Sequence, residues 1–122
     1  ILASLESPYI VAYKEAFYEE ITGSLCMVTE FAEGGDLSSF INGYRKKKQM
    51  IPEEEIWRLS IQMIHALKTF HKKNIFHRDI KSANIFLTKN FQEVKVGDMN
   101  VSILSKSGMA TTQTGTPYYT SP

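Results

Sequence analysis

The stretch His77-Arg78-Asp79-Ile80-Lys81-Ser82-Ala83-Asn84 decides how the chain is read. It fits the pattern H-R-D-x-x-x-x-N, and a further acid, Asp98, stands fourteen residues beyond Asn84 in Gly97-Asp98-Met99-Asn100. A carboxylate such as Asp79 can accept the proton of an attacking hydroxyl. A second carboxylate and an amide oxygen, Asp98 and Asn84, form the hard oxygen set that Mg2+ favours. Phosphoryl transfer to a hydroxyl needs both at once, a base at the nucleophile and metal ligands at the phosphates. The plain alternative is a polar loop closing a helix–strand connection. Independent motifs on both sides weigh against it.

Outward from this stretch, Ile85-Phe86-Leu87 and Val94-Lys95-Val96 read as short strands around a turn at Thr88–Glu93. Such a hairpin has a fixed register, a good reason for Asn84 before it and Asp98 after it to converge. On the other side, Ile56, Leu59, Met63, Ile64, Leu67 and Phe70 recur at spacings of three and four, which predicts an amphipathic helix over Glu53–Lys72. Pro52 is expected as its first helical residue, and Glu53, Glu54 and Glu55 suit its positive end. Trp57 reads as a packing residue. His65 and His71 are six apart, a spacing that does not place two metal ligands on one helix face, and they read as ordinary histidines.

Nearer the start, Asp36 is placed to cap a helix running from Leu37 to about Lys48. The run Arg45-Lys46-Lys47-Lys48 reads as its solvated, dipole-matched end and not as a phosphate patch. Ile10–Phe17, rich in aromatic and β-branched residues, is expected to pair with a buried strand, Leu25–Thr29, across a turn that contains Gly23. Ile1–Leu5 is expected to be the last turn of a helix ended by Ser7-Pro8. Asp98–Pro122 has no clear period, and a long irregular segment in a compact domain is functional or disordered.

Composition sets the outer bounds. Apolar residues make up 43% of the 122, enough for a core, and a net charge of +1 argues against a nucleic-acid-binding surface. With Cys26 as the sole cysteine no internal disulfide can form, which suits a reducing compartment. No apolar run is long enough to span a bilayer. The chain opens on Ile1 without Met and stops at Ser121-Pro122, so it is expected to be a fragment, and the lack of a targeting signal carries little weight.

The chain resembles the catalytic domain of serine/threonine protein kinases, an α+β, two-lobed fold. Glu33-Gly34-Gly35-Asp36-Leu37, the His-Arg-Asp-Ile-Lys-Ser-x-Asn core and the ending Gly115-Thr116-Pro117-Tyr118-Tyr119-Thr120-Ser121-Pro122 together resemble the NIMA-related (Nek) kinases. The resemblance implies that residues 1–29 end the small lobe, that 30–36 are the hinge, and that 37–122 run from the start of the large lobe to the end of the activation segment. It implies ATP and Mg2+ as cofactors and a protein Ser or Thr hydroxyl as acceptor. Asp79 would be the catalytic base, and Asn84 and Asp98 the metal ligands. Lys81 would neutralise the transferring phosphoryl group, and Thr116 would help hold Asp79. Thr29 would be the gatekeeper at the back of an adenine pocket, with Glu30, Phe31 and Ala32 as the hinge that binds the base. Arg78 would pair with a phosphate on the activation segment, with Thr112 favoured over Thr111, Thr114, Ser105 and Ser107. Family analogy further suggests an intracellular, cytoplasmic protein, with association to microtubules or cilia.

Two departures from the family pattern stand out. Asp98-Met99-Asn100 replaces the usual Asp-Phe-Gly: Met can fill the apolar slot of the aromatic ring, and Asn tolerates positive φ better than most residues. The Gly-rich loop, the lysine of the third strand and its helix glutamate have no counterpart in these 122 residues, so the fragment alone is not expected to be a competent enzyme. A pseudokinase that keeps the fold as a scaffold is the competing reading, against which the retention of Asp79, Lys81, Asn84 and Asp98 counts. A helical interaction domain unrelated to kinases would require the catalytic spacing to be accidental.

Overall fold

A computed structural model of the chain describes residues 5–98, 103–104 and 115–119. In chain order the elements are β1 (Tyr13–Glu19), β2 (Ser24–Thr29), α1 (Leu37–Lys46), α2 (Glu53–Lys72), β3 (Ile75–Phe76), β4 (Ile85–Leu87), β5 (Val94–Val96) and β6 (Ile103–Leu104). Short 3-10 turns occupy Ser82–Asn84 and Pro117–Tyr119. Among the described residues three antiparallel pairs form, β1 with β2, β3 with β6 and β4 with β5. The mixture of helices and antiparallel ribbons is the expected α+β class.

α2 is the backbone of the core. Its buried side chains are Leu59, Ala66 and Phe70, with Met63 and Leu67 packed beside them. They meet Ile75 and the inward residues of the second hairpin, Ile85, Leu87, Val94 and Val96. Full burial of a side chain of this size stabilises by about 1.5–3 kcal/mol. Alternation does the sorting in the hairpin: Val94 and Val96 are buried while Lys95 between them is not fully so. Polar contacts lock helix to hairpin. Gln62 accepts from Val94 N (2.8 Å) and donates to Gln92 O (3.0 Å). Arg58 reaches Phe91 O and pairs with Glu55.

α1 starts where the sequence says it should. Asp36 Oδ1 accepts from Ser39 N at 2.8 Å, and this contact, with the Ser39 hydroxyl, holds the Asp36 carboxyl below its usual range. The helix ends at Lys46, one turn-fraction short of the expected Lys48, because Lys48 takes a left-handed φ of 54°. Arg45 to Lys48 are exposed, as a solvated helix end should be.

Several expectations need correction. The first strand begins at Tyr13 and not Ile10, because residues 9–11 pair elsewhere: Val11 N donates to Val96 O and Val96 N to Tyr9 O, each at 2.9 Å. Residues 9–11 thus lie along the outer edge of β5. Strand β2 is not buried: Leu25 and Met27 are exposed, since no layer covers the β1–β2 ribbon among the described residues. On α2, Ile56 and Ile64 fall outside the buried stripe, and Trp57 is exposed, its indole N–H donating to Glu53 at 3.1 Å. Pro52 occupies the cap position and not the first helical one. The expected helix end at Ile1–Leu5 falls on residues 1–4, outside those described, apart from Leu5, which joins the core.

Candidate active site

The loop from His77 to Asn84 leaves the core with its first residue anchored. His77 is 2% exposed, packs edge-on against Phe70 at 5.6 Å, and hydrogen-bonds through Nε2 to Gly97 O at 2.8 Å. A carbonyl only accepts, so Nε2 carries the proton. Nδ1 faces Asp79 N at 3.4 Å and accepts from it. Both partners therefore require the neutral ring, and burial lowers the His77 pKa further. This one side chain ties the start of the loop to the residue before Asp98.

Arg78 follows with φ at 66°, a left-handed conformation that a long side chain rarely adopts. Strain of this kind collects where a neighbour must be aimed. The neighbour is Asp79. Thr116 donates to its Oδ1 at 2.7 Å, while Asn84 Nδ2 (2.9 Å) and Lys81 Nζ (2.8 Å) both reach Oδ2. Lys81 also donates to the Thr116 hydroxyl at 2.9 Å, and Asn84 Nδ2 to Asp79 O at 2.9 Å. Lys81 first, then Thr116, hold the Asp79 carboxyl down to about 2. Among the described residues Oδ2 is doubly engaged and Oδ1 singly, so Oδ1 keeps a lone pair for an incoming hydroxyl.

The two expected metal ligands have different settings. Asn84 is buried at the end of the Ser82–Asn84 turn, with its amide nitrogen committed to Asp79. That commitment leaves its Oδ1 as the free oxygen. Asp98 is exposed, with φ at 53°, a region Asp tolerates better than most residues. The two come close through the main chain: Gly97 N donates to Asn84 O at 3.0 Å. Among the described residues no cluster of three His, Cys, Asp or Glu could hold a metal ion. Two oxygen side chains are nonetheless the donor set for a Mg2+ that keeps its remaining places for water and phosphate, so the residues present fit that ion.

Beside this acid lies a cleft of about 350 Å³, within the usual range for small-molecule sites. Thr29, Glu30, Phe31 and Ala32 line it together with Val11, Phe86, Gly97 and Asp98. The apolar walls and the row of main-chain groups past β2 suit a flat heterocycle. Gly34 is where the chain leaves the cleft. Its N–H donates to Leu87 O at 2.9 Å, and a Cβ there would press on the Leu87 carbonyl oxygen at 2.7 Å. The Gly34-Gly35 pair is thus a close approach of two backbones as well as a turn.

Of the expected site residues among those described, Lys81, Asn84 and Thr116 reach the Asp79 carboxylate, Thr29, Glu30, Phe31, Ala32 and Asp98 line the cleft, and Arg78 adjoins Asp79. Thr111, Thr112, Thr114, Ser105, Ser107, Met99 and Asn100 lie outside the described residues. Two residues with evident work were not singled out from sequence. His77 was read only as a letter of the motif. Lys95 was read only as part of the short strand Val94–Val96, yet its ammonium pairs with Glu30 at 3.1 Å. Neither partner can be found from spacing, since both contacts join segments far apart in the chain.

The family model described as Protein kinase domain matches residues 1–122. Among curated proteins, the chain is 44% identical over 124 residues to serine/threonine-protein kinase Nek1 of Mus musculus, with all of this chain and 10% of that protein covered. It is 43% identical over 128 residues to serine/threonine-protein kinase Nek4 of Mus musculus, again over the whole chain and 15% of the relative. Serine/threonine-protein kinase Nek11 of Homo sapiens is 38% identical over 124 residues, with 19% of its length covered. The chain spans less than a quarter of each of these relatives.

Proposed function

The chain belongs to the protein kinase family, and from that premise we propose that its parent protein transfers the γ-phosphate of ATP to Ser or Thr hydroxyls of other proteins, as a Nek-like kinase. One observation carries the reading: the closed set of Lys81, Thr116 and Asn84 around the Asp79 carboxylate. A single negative charge held by three donors, with one lone pair left over, is built to receive a hydroxyl.

In the proposed reaction the substrate oxygen attacks the γ-phosphorus, the bond from that phosphorus to the bridging oxygen of ADP breaks, and the hydroxyl proton passes to Asp79. With its carboxyl held down to about 2, Asp79 is a weak base at neutral pH. Its main contribution is to orient the hydroxyl, and it takes the proton as the new bond forms. Lys81, already beside Asp79, faces the path of the transferring group and offsets its charge. Asn84 Oδ1 and Asp98 would hold Mg2+, which supplies charge neutralisation at the phosphates. Thr29 and the main chain of Glu30, Phe31 and Ala32 would receive the adenine. Protein kinases in general use ATP and Mg2+, which agrees with this donor set.

The test uses the full-length kinase, radiolabelled ATP and a generic Ser/Thr-rich protein acceptor. Asp79→Asn is expected to lower turnover by about 10²–10⁴-fold while nucleotide affinity stays near wild type. Wild-type turnover in that variant would remove Asp79 from the reaction. A wild type that binds nucleotide and transfers nothing would instead favour a scaffold that has kept the fold.

A further inference from the structure

Glu30 lines the cleft, but its carboxylate is engaged by residues that do not. It accepts from Ala12 N at 2.8 Å and pairs with Lys95 Nζ at 3.1 Å, while Glu30 N donates to Ala12 O at 2.8 Å. Three contacts therefore fix one residue from two directions. Ala12 belongs to the segment whose residues 9–11 lie along β5, and Lys95 is in β5 itself. Three residues beyond Lys95 is Asp98. A single ion pair thus joins the first hinge residue, at the base-binding end of the cleft, to the strand that delivers the metal-facing acid.

We propose that Lys95 is a positioning residue for nucleotide binding, acting through the Glu30 carboxylate to set the hinge main chain at its distance from β5. The inference rests on the nucleotide reading of the cleft. The side chains of Lys95 and Glu30 are 16% and 26% exposed, so their attraction is screened far less than that of a solvated pair. The contrast is internal to the molecule: Lys89 and Glu33 also pair, at 3.5 Å, with side chains 85% and 55% exposed, and such a pair contributes little. Removing Lys95 leaves the Glu30 carboxylate partly buried with only Ala12 N as a partner. The carboxylate is then free to turn toward solvent. The hinge loses its fixed point, and the cost falls on whatever binds there. Asp79 and its three donors touch neither Lys95 nor Glu30 in the contacts of the described residues, so the chemical step itself is spared.

The experiment compares wild type, Lys95→Met, Lys95→Arg, Glu30→Gln and the double variant Lys95→Met/Glu30→Gln in the full-length kinase. The direct readout is the affinity for a fluorescent ADP analogue without Mg2+, followed by KM for ATP, kcat at saturating ATP and the melting temperature. Lys95→Met is expected to weaken ADP binding and raise KM by roughly tenfold, with kcat within about twofold. Lys95→Arg keeps the charge and recovers most of the loss. The double variant is no worse than Lys95→Met, since the two residues act as one unit. Unchanged ADP affinity in Lys95→Met, with wild type binding normally, overturns the proposal alone. Equal losses in kcat and binding that track a lowered melting temperature, with no recovery in Lys95→Arg, overturn it as well, by showing a merely structural lysine. A wild type with no affinity for adenine nucleotides overturns both this proposal and the kinase reading.

Discussion

His77 works by being neutral. Its Nε2–H is spent on Gly97 O and its Nδ1 on Asp79 N, and the ring is buried against Phe70. Adding a proton would put a charge in a desolvated site and turn Nδ1 from acceptor to donor, facing another donor. Burial accordingly lowers the His77 pKa from 6.5, with the nearby Asp79 and Asp98 charges opposing in part. The sign follows from linkage: below pH 6.5 the unfolded chain takes up a proton that the folded chain refuses. Stability is therefore full above pH 6.5 and is lost as pH falls from 6.5 toward the lowered folded value. The slope in that window is at most about 1.4 kcal/mol per pH unit for one proton. The lowered carboxyls act in a separate window, since Asp79 and Asp36 lose their contributions only as pH falls below about 3.8. Denaturant melts of the kinase domain at pH 5, 6 and 7.5 should show the first slope in wild type and lack most of it in His77→Gln. The same slope in both proteins would assign it elsewhere.

At the scale of elements, two glycines, one just before α1 and one within it, should respond in opposite directions. Gly34 sits against the Leu87 and Thr88 carbonyl oxygens, which are backbone and cannot step aside. Gly34→Ala is expected to destabilise by about 1–3 kcal/mol and to shift the Gly34-Gly35 turn off β4. Gly43 is inside α1 with nothing within 4 Å of a Cβ. Gly43→Ala is expected to stabilise by about 0.5–1 kcal/mol, by removing chain entropy from the unfolded state and improving helix propensity. Midpoints of denaturant unfolding for the two variants decide it, and a loss at Gly43 or none at Gly34 would contradict the packing described. Elements with strong local signals were legible from sequence. Glu53–Lys72, Ile85–Leu87 and Val94–Val96 have the expected bounds, because periodicity and turn chemistry act within each segment. The first strand and its pairing with Leu25–Thr29 were legible, but its start at Ile10 was not, for a non-local reason: residues 9–11 have strand character, but their hydrogen-bond partner is Val96, more than eighty residues away. The β3–β6 pair was not expected at all, since two-residue strands carry no pattern.

Across the whole molecule, the site was more legible than the packing around it. Asp79 and Asn84 stand at a fixed motif spacing, the family resemblance added Lys81 and Thr116, and the structure joins all four within hydrogen-bond distance. What spacing cannot reveal is which side chains hold distant segments in place, as His77 and Lys95 do. The molecule also divides unevenly in its cohesion. α2, β4 and β5 share one apolar core, whereas the β1–β2 ribbon exposes Phe17, Leu25 and Met27. The ribbon is tied to that core through residues 9–12 and Glu30. Local opening of the ribbon therefore breaks few buried contacts, and opening of the core breaks nearly all of them. In this 122-residue chain, hydrogen-bonded amides of β1 and β2 are expected to exchange about a hundredfold faster than those of Leu59–Phe70, a difference of about 2.7 kcal/mol in opening free energy. The amide of Val11, bonded to Val96 O at 2.9 Å, should exchange with the core despite being two residues from the ribbon. Equal protection throughout β1, β2 and α2 would show that the ribbon opens only with the core, and that the attachment at residues 9–12 is not the boundary between a loose element and a firm one.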